Sequence, residues 1–241
     1  MDPAPPWQVS GLNLEKINAQ IRLQEKNSHR PQNSVSLLAV SKFHSQEEII
    51  SAIKAGQLSF GENRVQEILK KFPQIKKDYP EVSLHLIGHL QSNKVKNAVL
   101  YADYIESVDS LLLLKEIEKQ CSKINKNINI LLEVHTGEES KSGFQSFIDL
   151  EQAVKFCSDG NAPHLILSGF MTMAPFTTDE KLIRSSFRTL KEYSQILKEK
   201  YKNLSLDILS MGMSGDFKIA IDEGSTQVRI GTAIFGERIY N

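Results

Sequence analysis

The sequence is poor in the features that would place it outside the cell, in a membrane or on a nucleic acid. Its 241 residues include only two cysteines, Cys121 and Cys157. That is too few for a disulfide framework or a cysteine-rich metal site. Both fall at apolar positions of predicted helices, the usual setting of reduced core thiols. Neither sign of charge is in excess, since 29 Lys and Arg balance 29 Asp and Glu. The basic footprint of a nucleic-acid or membrane-surface protein is therefore missing. No apolar run is long enough to span a bilayer. The opening MDPAPPWQVS lacks the basic region and long apolar stretch of a secretory signal. Together these absences predict a cytoplasmic protein with no nucleic-acid and no membrane partner. The six histidines form no H-E-x-x-H and no Cys/His cluster. His85 and His89 are four apart, but Gly88 and the expected strand keep them off a shared helix face, so no metal is expected.

What is present reads as an ordinary globular chain, with 40% hydrophobic and 24% charged residues. Leu14, Ile17 and Ile21 fall at helical spacing and predict an N-terminal helix. Val35–Lys42 (VSLLAVSK) is a compact apolar run with the character of a buried strand. Ser45 with Glu48 forms a capping-box pattern that opens the next helix, and Thr177 with Glu180 repeats it later. Further strands are expected at Leu58–Phe60, Leu84–Ile87, Asp103–Glu106, Ile128–Val134, Leu165–Phe170, Leu206–Leu209 and Gln227–Ile230. Helical patterns separate most of them, for example Val65, Ile68, Leu69 and Phe72. The Lys70-Lys71 and Lys76-Lys77 pairs are expected on solvated helix faces.

Strands alternating with helices imply a parallel sheet, and eight such strands suggest closure. The expectation is an α/β protein, a single (β/α)8 TIM-type barrel with an additional N-terminal helix. One domain over 1–241 is expected, with 1–34 as the N-terminal helical extension. An open doubly wound sheet is disfavoured, because no G-x-G-x-x-G follows the first strand.

In such a barrel the functional groups collect where strands run into the following loops. There the sequence places Ser41-Lys42, Phe60-Gly61-Glu62-Asn63, Gly88-His89-Leu90-Gln91, the run Ser210 to Asp216, and Arg229-Ile230-Gly231-Thr232. A lysine held partly desolvated at a barrel mouth favours its neutral amine, the form that condenses with an aldehyde. Taken alone, a strand-end lysine is ordinarily a solvated end residue. The loops after the seventh and eighth strands change the weighing, because barrel phosphate sites often lie there. Ser214-Gly215-Asp216 is expected to open a short helix through about Asp222, and Gly231-Thr232 adds an unobstructed approach and a hydroxyl. Free N–H groups at such positions attract a phosphate dianion. Arg229, beside that pocket, is placed either in an ion pair or facing the ring nitrogen of a coenzyme.

The motifs VSLLAVSK, FGENRVQE, LHLIGHLQSNK, ESKSGF, GFMTMAP, SMGMSGDFKIAI and GSTQVRIGTAIFGER, in this order from about Val35 to Arg238, resemble the pyridoxal phosphate homeostasis protein family. That family is similar to the barrel domain of alanine racemase and lacks the racemase's second, β-rich domain. The resemblance implies pyridoxal 5′-phosphate (PLP) as cofactor, joined to Lys42 as a Schiff base. It implies that Ser214, Gly231 and Thr232 hold the phosphate and that Arg229 approaches the pyridine nitrogen. Asn63, His85, Met173 and Ser210 would line the coenzyme pocket. Where the family often has asparagine after the fifth strand, this chain has His135, which changes one hydrogen bond of the pocket wall. Lys141 is read as a solvated loop lysine, with a transient contact for passing coenzyme as the sharper alternative.

The function expected is intracellular PLP homeostasis without turnover: the chain holds PLP, with delivery to PLP-dependent apoenzymes as an extension of that role. The alternatives are a PLP-dependent, racemase-like enzyme acting on amino acids and a coenzyme-free aldolase using Lys42. A racemase needs a second acid or base facing Lys42, and the chain ends at Asn241 without a domain to supply one. Arg229 also disfavours general PLP catalysis, since a guanidinium does not give its proton to the pyridine ring.

Overall fold

The computed structural model describes residues 6–137 and 142–236, with side chains from residue 11 onward. Strand β1 (Ser36–Val40) bonds on one side to β2 (Ser59–Glu62) and on the other to β8 (Gln227–Ile230), so the sheet closes on itself. Strands β3 (Ser83–Leu86), β4 (Tyr104–Val108), β5 (Ile128–Glu133), β6 (Leu165–Met171) and β7 (Ile208–Ser210) complete the circuit in sequence order. Every pairing is parallel. Parallel neighbours need crossover connections. Helices α2 (Gln46–Lys54), α3 (Val65–Asp78), α4 (Val95–Tyr101), α5 (Leu111–Ile124), α6 (Phe147–Ser158), α7 (Glu180–Lys200) and α8 (Phe217–Asp222) supply them. Helix α1 (Pro6–Asn27) precedes the barrel and the single turn α9 (Thr232–Phe235) follows β8. This is the α/β, (β/α)8 TIM-type barrel with an added N-terminal helix that the alternation predicts.

The helix–sheet layer is the main core. Phe60, Phe72, Phe170 and Phe187 are fully buried in it, each stabilising the fold by about 1.5–3 kcal/mol relative to exposure. Leu14, Ile17 and Ile21 of α1 are buried as their spacing predicts, and α1 lies against α2, α8 and α9. The buried Glu25 side chain ties α1 to the barrel by accepting the N–H of Val35 at 2.7 Å, just before β1. Cys121 is buried and Cys157 half-buried, both as free thiols, and burial pushes them up to about 11 and about 12. No helix among the described residues is long and apolar enough to cross a membrane.

Three local expectations are corrected. The first strand ends at Val40, two residues before Lys42: Ser41 and Lys42 turn away, and Phe43 adopts φ 70°, which breaks the extended path. The Ser45–Glu48 capping box forms, but α7 is capped by Asp179, which accepts the Lys181 N–H at 2.8 Å. Thr177 instead accepts the N–H of Asp179 at 3.1 Å. Lys70 and Lys77 are solvated as expected. Lys71 is buried, bonded to Glu67 at 2.7 Å and Glu62 at 3.2 Å, and Lys76 pairs with Asp103 at 2.6 Å. A one-residue step on α3 separates solvent from barrel, which a charge run alone does not reveal.

Candidate functional site

A cavity of about 850 Å3 opens at the end of the barrel where the strands run into the following loops. Seven of the nine residues singled out in the sequence line it: Lys42, Asn63, Met173, Ser214, Arg229, Gly231 and Thr232. They come from five different loops or strands, so the fold brings together what the chain spreads over nearly two hundred residues. His85 and Ser210 are not among the lining residues; His85 is buried within β3 and Ser210 ends β7, and they hydrogen-bond Glu106 and Arg229.

That deeper layer is a polar network around Glu106, which is fully buried on β4. His85 Nδ1 meets Glu106 Oε1 at 2.6 Å, and the ring stacks on Tyr104 at 4.1 Å between centroids. The Ser210 hydroxyl donates to Glu106 Oε2 at 2.6 Å, and Gln227 donates to Oε1 at 2.7 Å. Since β4 and β7 are not neighbours in the sheet, these bonds cross the barrel interior. Burial alone would raise the Glu106 carboxyl. The hydrogen bond and charge of His85, the charge of Arg229 and the Ser210 hydroxyl together bring it below its ordinary value.

Arg229 is the top of this network. Its Nη1 donates to the Ser210 carbonyl at 2.6 Å and to the Ser210 hydroxyl at 2.8 Å, and Nη2 donates to the Thr172 carbonyl at 2.8 Å. Among the described residues this leaves the Nε–H and one Nη2–H unengaged, on a guanidinium that borders the cavity. Burial lowers its pKa, opposed by the charges of Glu106, Asp216 and Glu133.

Beside Arg229 the loops after β7 and β8 face the same space. The N–H groups of Ser214, Gly215, Thr232 and Ala233 make no hydrogen bond among the described residues. The chain turns out of β7 with Asp216 Oδ1 accepting the Met213 N–H at 2.6 Å. A Cβ on Gly231 would lie 3.0 Å from the Val40 carbonyl oxygen, so glycine is what lets this loop close over β1. Gly88 answers a similar demand, for a Cβ there would sit 2.3 Å from the Asn63 carbonyl and dislodge the loop carrying that pocket residue.

Lys42 is half-buried in the turn after β1. The turn is anchored from behind: the buried Ser41 hydroxyl donates to Glu62 Oε1 at 2.7 Å, and Lys71 Nζ donates to the Ser41 carbonyl at 3.2 Å. Burial raises the Glu62 pKa against the pull of Lys71, and Glu62 Oε2 has no hydrogen-bond partner among the described residues.

Sequence reading missed several members of the site. Glu133, the last residue of β5, is 2% exposed and lines the cavity, as does Ser142, whose hydroxyl donates to Glu133 Oε1 at 2.7 Å. A lone carboxylate ending the apolar run INILLE was a readable signal. His44 also lines the cavity, stacked on Phe235 at 4.7 Å. Phe176, 97% exposed, stands at the mouth, where nothing in the local pattern marks it. His135 is half-buried just after β5, with its N–H donated to Phe144 at 3.1 Å, outside this cavity's lining. Lys141 lies outside the described residues.

Residues 12–239 match the model of the alanine racemase N-terminal domain family. The pyridoxal phosphate homeostasis protein of Vibrio cholerae is 39% identical over 234 residues, covering 95% of this chain and 96% of that protein. The mouse protein of the same name is 34% identical over 248 residues, covering 96% and 88%. Among solved structures, PipY of Synechococcus elongatus, determined with PLP bound, superposes with a TM-score of 0.83 at 32% identity, covering 94% of this chain and all of that one. An alanine racemase of Corynebacterium glutamicum, at 14% identity and a TM-score of 0.72, shares the fold over 62% of its length. The chain belongs to the alanine racemase N-terminal domain family, and within it to the branch of the pyridoxal phosphate homeostasis proteins.

Proposed function

We propose that this chain binds PLP in the barrel-mouth cavity and serves PLP homeostasis, holding the coenzyme and handing it to PLP-dependent apoenzymes. The observation that carries the reading is the convergence at one cavity of a half-buried lysine, a buried arginine and the N–H groups of Ser214, Gly215 and Thr232, which have no hydrogen-bond partner among the described residues. Each fits a different part of the coenzyme. A phosphate dianion suits the donors of Ser214, Gly215, Thr232 and Ala233, helped by the Thr232 and Ser214 hydroxyls. The pyridine nitrogen is an acceptor and suits the unengaged donors of Arg229. Lys42 would hold the aldehyde end, its amine being the nucleophile for the carbonyl chemistry that the coenzyme would supply.

Asn63 and Met173 bound the same space and would contact the ring. His85 and Ser210 act one step back: Ser210 holds Arg229 at two points and Glu106 at a third, and His85 holds Glu106. This rigid underlay fixes the guanidinium before a ligand arrives, which reduces the ordering cost of binding. A guanidinium at the pyridine nitrogen keeps its own proton and leaves the ring a weak electron sink, which suits holding the coenzyme more than carbanion chemistry.

The test is transfer. PLP-loaded protein is mixed with a defined PLP-dependent apoenzyme in the presence of a trap for free PLP, and recovery of the apoenzyme's activity is followed. Recovery faster than the trap permits for released PLP is expected. Recovery abolished by the trap would overturn delivery. Exchange of the L-alanine α-proton in deuterated water at about 1 s⁻¹ or faster, rates typical of enzymes, would overturn the reading in favour of an enzyme.

A further inference from the structure

The contacts assigned to the coenzyme's phosphate, ring nitrogen and aldehyde lie after β7, β8 and β1, with Asn63 after β2 and Met173 after β6 beside the ring. In a closed barrel of eight strands in sequence order, β5 stands directly opposite β1. The wall there is made by Glu133 and Ser142. At about 850 Å3 the cavity is near the top of the ~300–1,000 Å3 range of small-molecule sites. That is more room than a single-ring coenzyme fills, and Glu133 and Ser142 border the same space.

Among the described residues the Glu133 carboxylate has one hydrogen-bond partner, and it is uncharged. Glu133 is 2% exposed, and its Oε1 accepts one neutral hydroxyl, that of Ser142. Among the described residues no cation lies within ion-pair distance of it. The charged groups that face it are Arg229 from β8, His89 from the loop after β3 and Asp109 from the loop after β4. Arg229 bonds Ser210 and Thr172 and lies beyond ion-pair distance of Glu133, and His89 is paired with Asp109 at 3.2 Å. Desolvation accordingly raises the Glu133 pKa, with Asp109 adding to it and Ser142, Arg229 and His89 opposing. A buried acceptor-only group next to unfilled space is completed by a cationic donor, through a charge-assisted hydrogen bond. An anion at the same wall would meet repulsion, so an α-amino acid carboxylate is a poor fit there.

We infer that Glu133 and Ser142 form an ammonium subsite across the cavity from Lys42, which takes the distal ammonium of a small aliphatic diamine whose other end points toward the coenzyme side. The inference rests on PLP occupying the cavity as proposed above. It adds a ligand class, cationic primary amines, that the coenzyme contacts do not require.

The test uses PLP-loaded protein titrated with 1,4-diaminobutane and, separately, with n-butylamine, the same chain without the second ammonium. The visible absorption of the bound coenzyme reports each titration. The diamine should half-saturate at a concentration about tenfold lower or less, the smaller end of what one charge-assisted hydrogen bond confers, and well beyond the twofold statistical advantage of two amines. In Glu133→Gln, which keeps the shape and removes the charge, the gap should shrink to that statistical factor, the two amines being compared within each protein so that any change in PLP loading cancels. Equal half-saturation in the unmodified protein, or a gap that survives in Glu133→Gln, overturns the subsite. If the protein takes up no PLP, the coenzyme reading fails separately, and calorimetry of the coenzyme-free protein with 1,4-diaminobutane decides the subsite. Binding heat that disappears in Glu133→Gln supports it, and equal or absent heat in both proteins refutes it. A merely structural role for Glu133 would change PLP loading or melting without separating the two amines.

Discussion

Replacing Glu106 with alanine should destabilise the barrel more than almost any other polar substitution. Glu106 is fully buried and accepts from His85, Ser210 and Gln227 at 2.6, 2.6 and 2.7 Å. Its charge also compensates Arg229, which is 4% exposed and reaches it through the Ser210 hydroxyl. Removing it strands those donors and leaves a buried guanidinium without its main compensating carboxylate. Removing one member of a buried charge pair costs about 3–5 kcal/mol. For a chain of this size each kcal/mol shifts Tm by roughly 2–4 °C, so Glu106→Ala should melt about 6–20 °C lower. Glu106→Gln retains one acceptor and should fall between. The pH dependence follows from the direction of the shift. The folded-state pKa of Glu106 lies below its ordinary value. Its contribution is therefore complete above the ordinary carboxylate range and is lost as pH falls through the lowered folded value. Thermal melts of the three proteins across the acid range check both statements. A Glu106→Ala melt within about 2 °C of the unmodified protein, or an unaltered acid limb in Glu106→Gln, would refute the reasoning.

Three further outcomes are expected. Unphosphorylated pyridoxal should bind at least ~100-fold more weakly than PLP by spectral titration, because several charge-assisted hydrogen bonds are lost with the phosphate. Gly231→Val should weaken PLP binding to a similar degree in the same titration, since its Cβ begins 3.0 Å from the Val40 carbonyl and must push the phosphate loop outward. Lys71→Met should lower the melting temperature at neutral pH by stranding the buried Glu62 carboxylate. Because burial already raises the Glu62 pKa, that loss should shrink as the pH is lowered and the carboxyl takes up a proton, which melts at neutral and mildly acidic pH will show.

The barrel was legible because period and punctuation agree along most of the chain. Ser45 and Glu48 cap α2 as written, and Gln227–Ile230 is a strand to the residue. Lys42, Arg229 and Gly231-Thr232 could be found because a barrel concentrates its ligand groups where strands end. Depth was harder to read. The resemblance puts His85 and Ser210 in the pocket lining, whereas the structure buries both beneath it, bonded to Glu106 and Arg229. One residue along a strand reverses the face a side chain presents, and two change its layer. Lys71 beside Lys70 shows the same ambiguity on a helix, where a doubled charge hides which member faces inward. Glu133 at the end of INILLE is legible as a strand-end carboxylate, but what it faces across the barrel requires the closed circuit.

The central claim is that PLP is held through Lys42, and covalent trapping tests it most directly. The loaded protein is reduced with borohydride, digested, and its peptides are mapped by mass spectrometry. The pyridoxyl mass is predicted on Lys42, the half-buried lysine of the turn after β1, and Lys42→Ala should lose both the label and the yellow colour. A label confined to Lys141 or any other lysine, with Lys42 unmodified, would contradict the account.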